Sequence, residues 1–201
     1  MSPERWGIPT THDGVRFRSR LEARWAHFFT ELHWRWEYEP FDLKGYIPDF
    51  AILGERPLLV EVKPALTWAE CEETYRHIPT EALEDAPYDL LVVGATPLLF
   101  GSRIPEYHEP VATFVSAGFL SDYAPACEDQ PAYRDGFGDG VAEWGLCETC
   151  RRIMIHHDQG LWTSRPCGHR NKHGQGGDPR LSDVLMQIWK RADNATKWRA
   201  P

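Results

Sequence analysis

The stretch Tyr46-Ile47-Pro48-Asp49-Phe50-Ala51-Ile52-Leu53-Gly54-Glu55-Arg56-Pro57-Leu58-Leu59-Val60-Glu61-Val62-Lys63-Pro64 decides how this chain is read. Two apolar runs flank residues 54–57, whose Gly and Pro mark a turn. Residues 46–53 and 58–63 are therefore expected as neighbouring strands, the second ended by Pro64. Side chains alternate across a strand, so Glu61 and Lys63 project to one side while Val60 and Val62 face the other layer. Charged groups on an otherwise apolar strand are costly unless compensated. A cation bound by Glu61 compensates the cost, and the short turn brings Asp49 alongside, so that one metal ion bridges both carboxylates. The bland alternative is an Asp49–Lys63 salt bridge at a sheet edge with Glu61 in solvent.

Working outward, residues 18–33 read as a helix. Leu21, Trp25, Phe28, Phe29 and Leu32 fall at helical spacing, and Ser19 with Glu22 three residues on fits a capping box. Residues 34–39 read as a strand stopped by Pro40, 67–83 as a helix, and 88–94 as a strand buried on both faces. Strands, a helix and a further buried strand indicate a mixed α/β sheet with a crossover helix. Residues 1–17 read as a loop, 111–120 as a short helix, and 122–140, rich in Pro, Gly and Asp, as a linker. The Asp135–Gly140 run lacks the spaced oxygen ligands of a calcium loop. Residues 179–191 read as a last helix capped by Asp178, with Pro179 at its first position.

The order of elements gives the motif a context. Pro48-Asp49, then Glu61, one spacer and Lys63, with Glu22 on a preceding helix, resembles the PD-(D/E)XK signature of restriction-type nucleases over roughly residues 15–100. Within that superfamily the chain looks most like the small endonucleases of phage and mobile elements. The resemblance implies a restriction-endonuclease-like α/β fold, a mixed central sheet flanked by helices, and Mg²⁺-dependent hydrolysis of DNA phosphodiesters. Asp49 and Glu61 would hold the metal, with the carbonyl of Val62 as a further ligand, and Lys63 would position the attacking water. Glu22 would complete the acidic pocket; it is equally explained as the third residue of its capping box. The rival function is a non-catalytic nucleic-acid-binding or adaptor protein that keeps the fold. Nucleases of this kind work as homodimers or with a partner subunit, and either arrangement suits the chain.

A second metal centre is expected toward the C-terminus. Cys147-Glu148-Thr149-Cys150 is a two-spacer knuckle, and Cys167-Gly168-His169 follows sixteen residues later. Three thiolates and one imidazole make the closed shell of structural Zn²⁺. His169 is preferred as fourth ligand because Gly168 permits a tight turn, with His156, His157 and His173 as competitors. A redox Cys-x-x-Cys is the rival reading, and the third Cys weighs against it. Cys71 and Cys127 read as free thiols. The expected organisation is a nuclease-like domain over 1–121, a linker over 122–145 and a small zinc-binding module with a helix over 146–201.

The 201 residues carry a net charge of −8, unevenly spread. From Cys147 onward, 10 Lys+Arg against 5 Asp+Glu give +5; the first 146 residues hold 12 against 25, or −13. A metal-binding acidic body and a basic tail that meets phosphates suit that split. Arg151, Arg152, Arg165, Arg170 and Lys172 are the candidate phosphate contacts. The nine tryptophans, some beside Arg or Lys, read first as packing residues and second as base-stacking platforms. No apolar run reaches the roughly 20 residues that span a bilayer, and residues 1–11 lack a signal pattern, so a cytoplasmic protein is expected.

Overall fold

The computed structural model describes residues 7–79, 88–103, 112–121, 139–157, 164–170 and 178–197. The motif stretch supplies the fifth and sixth strands of a seven-stranded mixed sheet, ordered β11-β10-β9-β6-β5-β4-β3. Strands β3 (Arg35–Tyr38), β4 (Phe50–Leu53) and β5 (Leu58–Val62) form an antiparallel meander. Helix α2 (Trp68–Tyr75) then crosses over to β6 (Asp89–Val93), which pairs parallel to β5. β9 (Gly118–Ser121), β10 (Asp139–Leu146) and β11 (Ile153–His157) extend the sheet antiparallel from β6. The mixed α/β sheet expected from the sequence is present.

Helix α1 (Arg20–Glu31) begins where the Ser19 hydroxyl accepts the Glu22 N–H, satisfying one orphan donor of the first turn. Its stripe, Trp25, Phe28 and Phe29, is fully buried against the sheet with Phe50, Leu58, Val60 and Trp34. Helix α3 (Ser182–Thr196), entered through a 3-10 turn at Pro179–Leu181, packs on α1 and sets Trp189 4.9 Å from the Trp25 ring. Each such aromatic taken from water contributes on the order of 2–3 kcal/mol. The indole N–H groups of Trp25, Trp34 and Trp144 donate to the carbonyls of Gly94, Ile153 and Pro97. These three tryptophans are thus packing residues. The opposite face of the sheet, with Leu59, Leu90, Val92 and Phe119, is covered by α2 through Cys71 and Tyr75. Beside α2 lies a separate hairpin of β7 (Leu99–Arg103) and β8 (Ala112–Ser116).

Several sequence expectations need correction. Residues 1–17, read as a loop, contain a hairpin of β1 (Thr10–His12) and β2 (Val15–Phe17). Its turn residues Asp13 and Gly14 have φ of 47° and 80°, the positive values that two-residue hairpin turns demand. Residues 111–120, read as a helix, contribute β8 and β9, because strand partners distant in sequence outweigh local spacing. The strand over 46–53 starts only at Phe50; Tyr46 is taken into a tight turn with Leu43 over Lys44 and Gly45, both at positive φ. The expected linker 122–145 ends in sheet, since its last seven residues belong to β10, and no break in the sheet coincides with the expected boundary. Residues 122–138, Cys127 and His173 lie outside the described residues.

Candidate functional site

β4 and β5 pair with Phe50 opposite Val60 and Ala51 opposite Leu59. Asp49 directly precedes β4, and the Val62 N–H of β5 donates to its carboxylate, which sets it beside Glu61. Alternation puts both on the α2 side, since Phe50 and Val60 face α1 while Ala51 and Leu59 face α2. Lys63 follows on that side, its Nζ 2.5 Å from Glu61 Oε1. Asp49 and Glu61 are 2% and 7% exposed. Asp49 Oδ2 accepts the Val62 N–H at 2.7 Å, and Glu61 Oε2 accepts the Tyr46 hydroxyl at 3.0 Å. The edge-salt-bridge alternative is not what the structure contains: Lys63 pairs with Glu61, and neither carboxylate is solvated.

Glu22, also buried, enters from α1. Its backbone N–H completes the Ser19 cap, but its carboxylate does not return to Ser19 as a capping box requires. Glu22 Oε2 instead accepts the Tyr38 hydroxyl at 2.6 Å and the Arg18 N–H at 3.1 Å. The Arg18 guanidinium spans the mouth of the group, 2.5 Å from Asp49 Oδ1 and 2.8 Å from Glu39. Arg18, Tyr38 and Tyr46 are thus site residues that the sequence reading missed. The available signal was the Tyr46-Ile47-Pro48-Asp49 run, in which a Tyr sits just before the acidic position.

Burial raises the Asp49 carboxyl to about 7, and the charges of Glu61 and Glu22 add to the rise against the Val62 N–H and Lys63. Burial opposes the Lys63 ammonium, yet the adjacent Glu61 carboxylate carries its pKa above the ordinary lysine value. Tyr46 is pushed well up, first by burial and then by Glu61, so its hydroxyl stays a donor. Asp49 and Glu61 are thus two desolvated carboxylates faced by Arg18 and Lys63; with Glu22, which comes from α1, they are not among the described groups whose ligand atoms all lie within 4.8 Å of one another. Their donors are hard oxygens of the kind Mg²⁺ selects.

The second expected centre is assembled. The ligand atoms of Cys147, Cys150, Cys167 and His169 all lie within 4.8 Å of one another. Cys147 Sγ is 3.6 Å from Cys167 Sγ and 3.4 Å from His169 Nδ1. Zinc–sulfur bonds of about 2.3 Å put tetrahedral sulfurs about 3.8 Å apart, so this Cys3His cluster can hold a metal such as zinc. Gly168 has φ of 74°, the left-handed turn that brings His169 back to Cys167. His156 and His157 lie in β11 and are not members of the cluster. Burial opposes ionisation of Cys147, but the N–H of Cys150 and the His169 ring lower its thiol to about 6.

The loop that carries Cys167 is fastened to the hairpin that carries the acidic site. The Pro166 carbonyl accepts the Arg56 N–H at 3.2 Å, over a Gly54 where a Cβ would stand 2.0 Å from that oxygen. Arg165, offered above as a phosphate contact, is fully buried; its Nε lies 2.5 Å from Asp89 Oδ2, and Arg56 grips the same carboxylate. Arg151, Arg152 and Arg170 remain exposed.

Neither a protein-family model, nor a curated protein, nor a solved structure matches the chain. No described helix is long and apolar enough to cross a membrane.

Proposed function

We propose that the chain is a Mg²⁺-dependent endonuclease of the PD-(D/E)XK type that hydrolyses DNA phosphodiester bonds. The observation that carries this reading is the buried Asp49 held beside the end of β5 by the Val62 N–H, next to the buried Glu61 and its partner Lys63. The succession of α1, a three-stranded meander, α2 and a parallel β6 supports it. Mg²⁺ held by Asp49, Glu61 and the Val62 carbonyl would supply Lewis-acid polarisation of the phosphate and a more acidic water. Lys63, kept charged by Glu61, orients the water and offsets charge growing on the phosphate oxygens. Glu22, held by Tyr38, would act on the metal through water. Arg18 holds Asp49 Oδ1 and Glu39 at once, and would keep Glu39 where a bound cation took the Asp49 oxygen. Zn²⁺ in the Cys3His cluster would hold the C-terminal loop, and the exposed Arg151, Arg152 and Arg170 would meet DNA phosphates. The free thiols of Cys71, Cys147, Cys150 and Cys167 suit a reducing compartment, the cytoplasm.

The test is plasmid nicking with Mg²⁺. Wild type cleaves, and Lys63→Ala loses the activity while retaining the fold by circular dichroism. Equal cleavage by Lys63→Ala would discard the catalytic assignment. DNA binding without any cleavage by wild type would favour an adaptor that keeps the scaffold.

A further inference from the structure

The N-terminal hairpin and α1 bring together a third set of ligating side chains, distinct from the acidic site and the Cys3His cluster. His12 closes β1, Asp13 is the first turn residue, and His27 lies on α1. His12 Nε2 is 3.0 Å from His27 Nδ1 and 3.3 Å from Asp13 Oδ2. All three donor atoms lie within 4.8 Å of one another. The two rings share a hydrogen bond across the 3.0 Å gap, and tetrahedral metal–nitrogen bonds of about 2.1 Å would need their nitrogens about 3.4 Å apart, an opening of a few tenths of an ångström.

The far side of His27 is also organised. Its Nε2 faces Glu31 Oε1 at 3.5 Å, one helical turn along, and Glu31 is held by Arg191 of α3 at 2.8 Å. With its proton on Nε2 toward Glu31, His27 turns its Nδ1 lone pair inward, the arrangement that metal-bound histidines use. Two imidazoles and one carboxylate suit a borderline divalent ion and disfavour Mg²⁺ or Ca²⁺. The His12 and His27 side chains are 12% and 21% exposed, whereas Asp13 is 74% exposed, so an ion exchanges through the Asp13 side.

We propose that His12, Asp13 and His27 form a metal site for a divalent ion of the zinc class, clasping the hairpin to α1. The inference does not depend on the nuclease reading. The test is equilibrium dialysis of the full chain against buffered Zn²⁺, with zinc counted per chain. The Cys3His cluster and the acidic site are common to every sample, so the difference between variants reports this site alone. The double variant H12Q/H27Q is expected to hold one ion fewer than wild type, and Asp13→Asn to bind that ion about tenfold more weakly or worse. Ring-nitrogen resonances of His12 and His27 in the ¹⁵N-labelled wild type are expected to shift on adding Zn²⁺. Equal zinc content in all samples, or unmoved ring resonances, overturns the proposal. Should the double variant fail to fold, Asp13→Asn and the wild-type resonances decide the matter.

Discussion

Asp49 carries two opposing contacts, the Arg18 guanidinium on one oxygen and the Val62 N–H on the other, yet its carboxyl rises to about 7. In the unfolded chain it titrates near 3.8. Folding therefore favours the proton. The stability this brings is complete below about pH 4 and is lost as pH rises through about 7. Without divalent ions, wild type should lose stability relative to Asp49→Asn over that window, by up to roughly 4 kcal/mol, measured by denaturant unfolding at several pH values. A difference that stays flat from pH 4 to 8 would contradict the raised value. On the proposed reading Mg²⁺ would have to expel the same proton, so its affinity should climb with pH up to about 7. Tyr46→Phe removes the donor to Glu61 Oε2 and should cut Mg²⁺ affinity or nicking rate roughly tenfold, read from Mg²⁺ titrations of activity. Asp49, Glu61 and Lys63 could be found by strand alternation because their relation is local. Arg18 and Tyr38 could not, because they reach the site only once β2, α1 and β3 have packed.

At the scale of elements, the fastening of the Cys167 loop to the β4–β5 turn can be probed directly. Arg165→Met strips one partner from a buried carboxylate that keeps Arg56, and it should lower stability by roughly 3 kcal/mol. Unchanged unfolding free energy would mean that the buried pair contributes nothing net. α1, β5 and β6 were legible because their apolar spacing and their breakers agree. The β1–β2 hairpin was hidden by its three-residue strands, though Asp13-Gly14 marked its turn. β8 and β9 were misread because Val111, Phe114 and Val115 also satisfy helical spacing, while β9's partners β6 and β10 lie far away in sequence. The Cys3His centre was legible because metal ligation fixes spacing, and Gly168 singled out His169.

For the whole molecule, the C-terminal third completes the sheet: β10 and β11 pair onward from β9, and α3 covers α1. Chelation, or Cys147→Ser, should therefore lower the melting temperature of the entire chain by roughly 5–10 °C, as a loss of about 3 kcal/mol implies at this size. A transition that stays put would show that the Cys3His loop is energetically separate. The sheet order also has a consequence for shortening the chain. Cut after residue 121, β9 would become an open border, its side chains apolar on both faces and one row of peptide groups bare. Such a fragment would recruit copies of itself into precipitate instead of standing as a smaller domain, so the strands on either side of β9 must be inherited together.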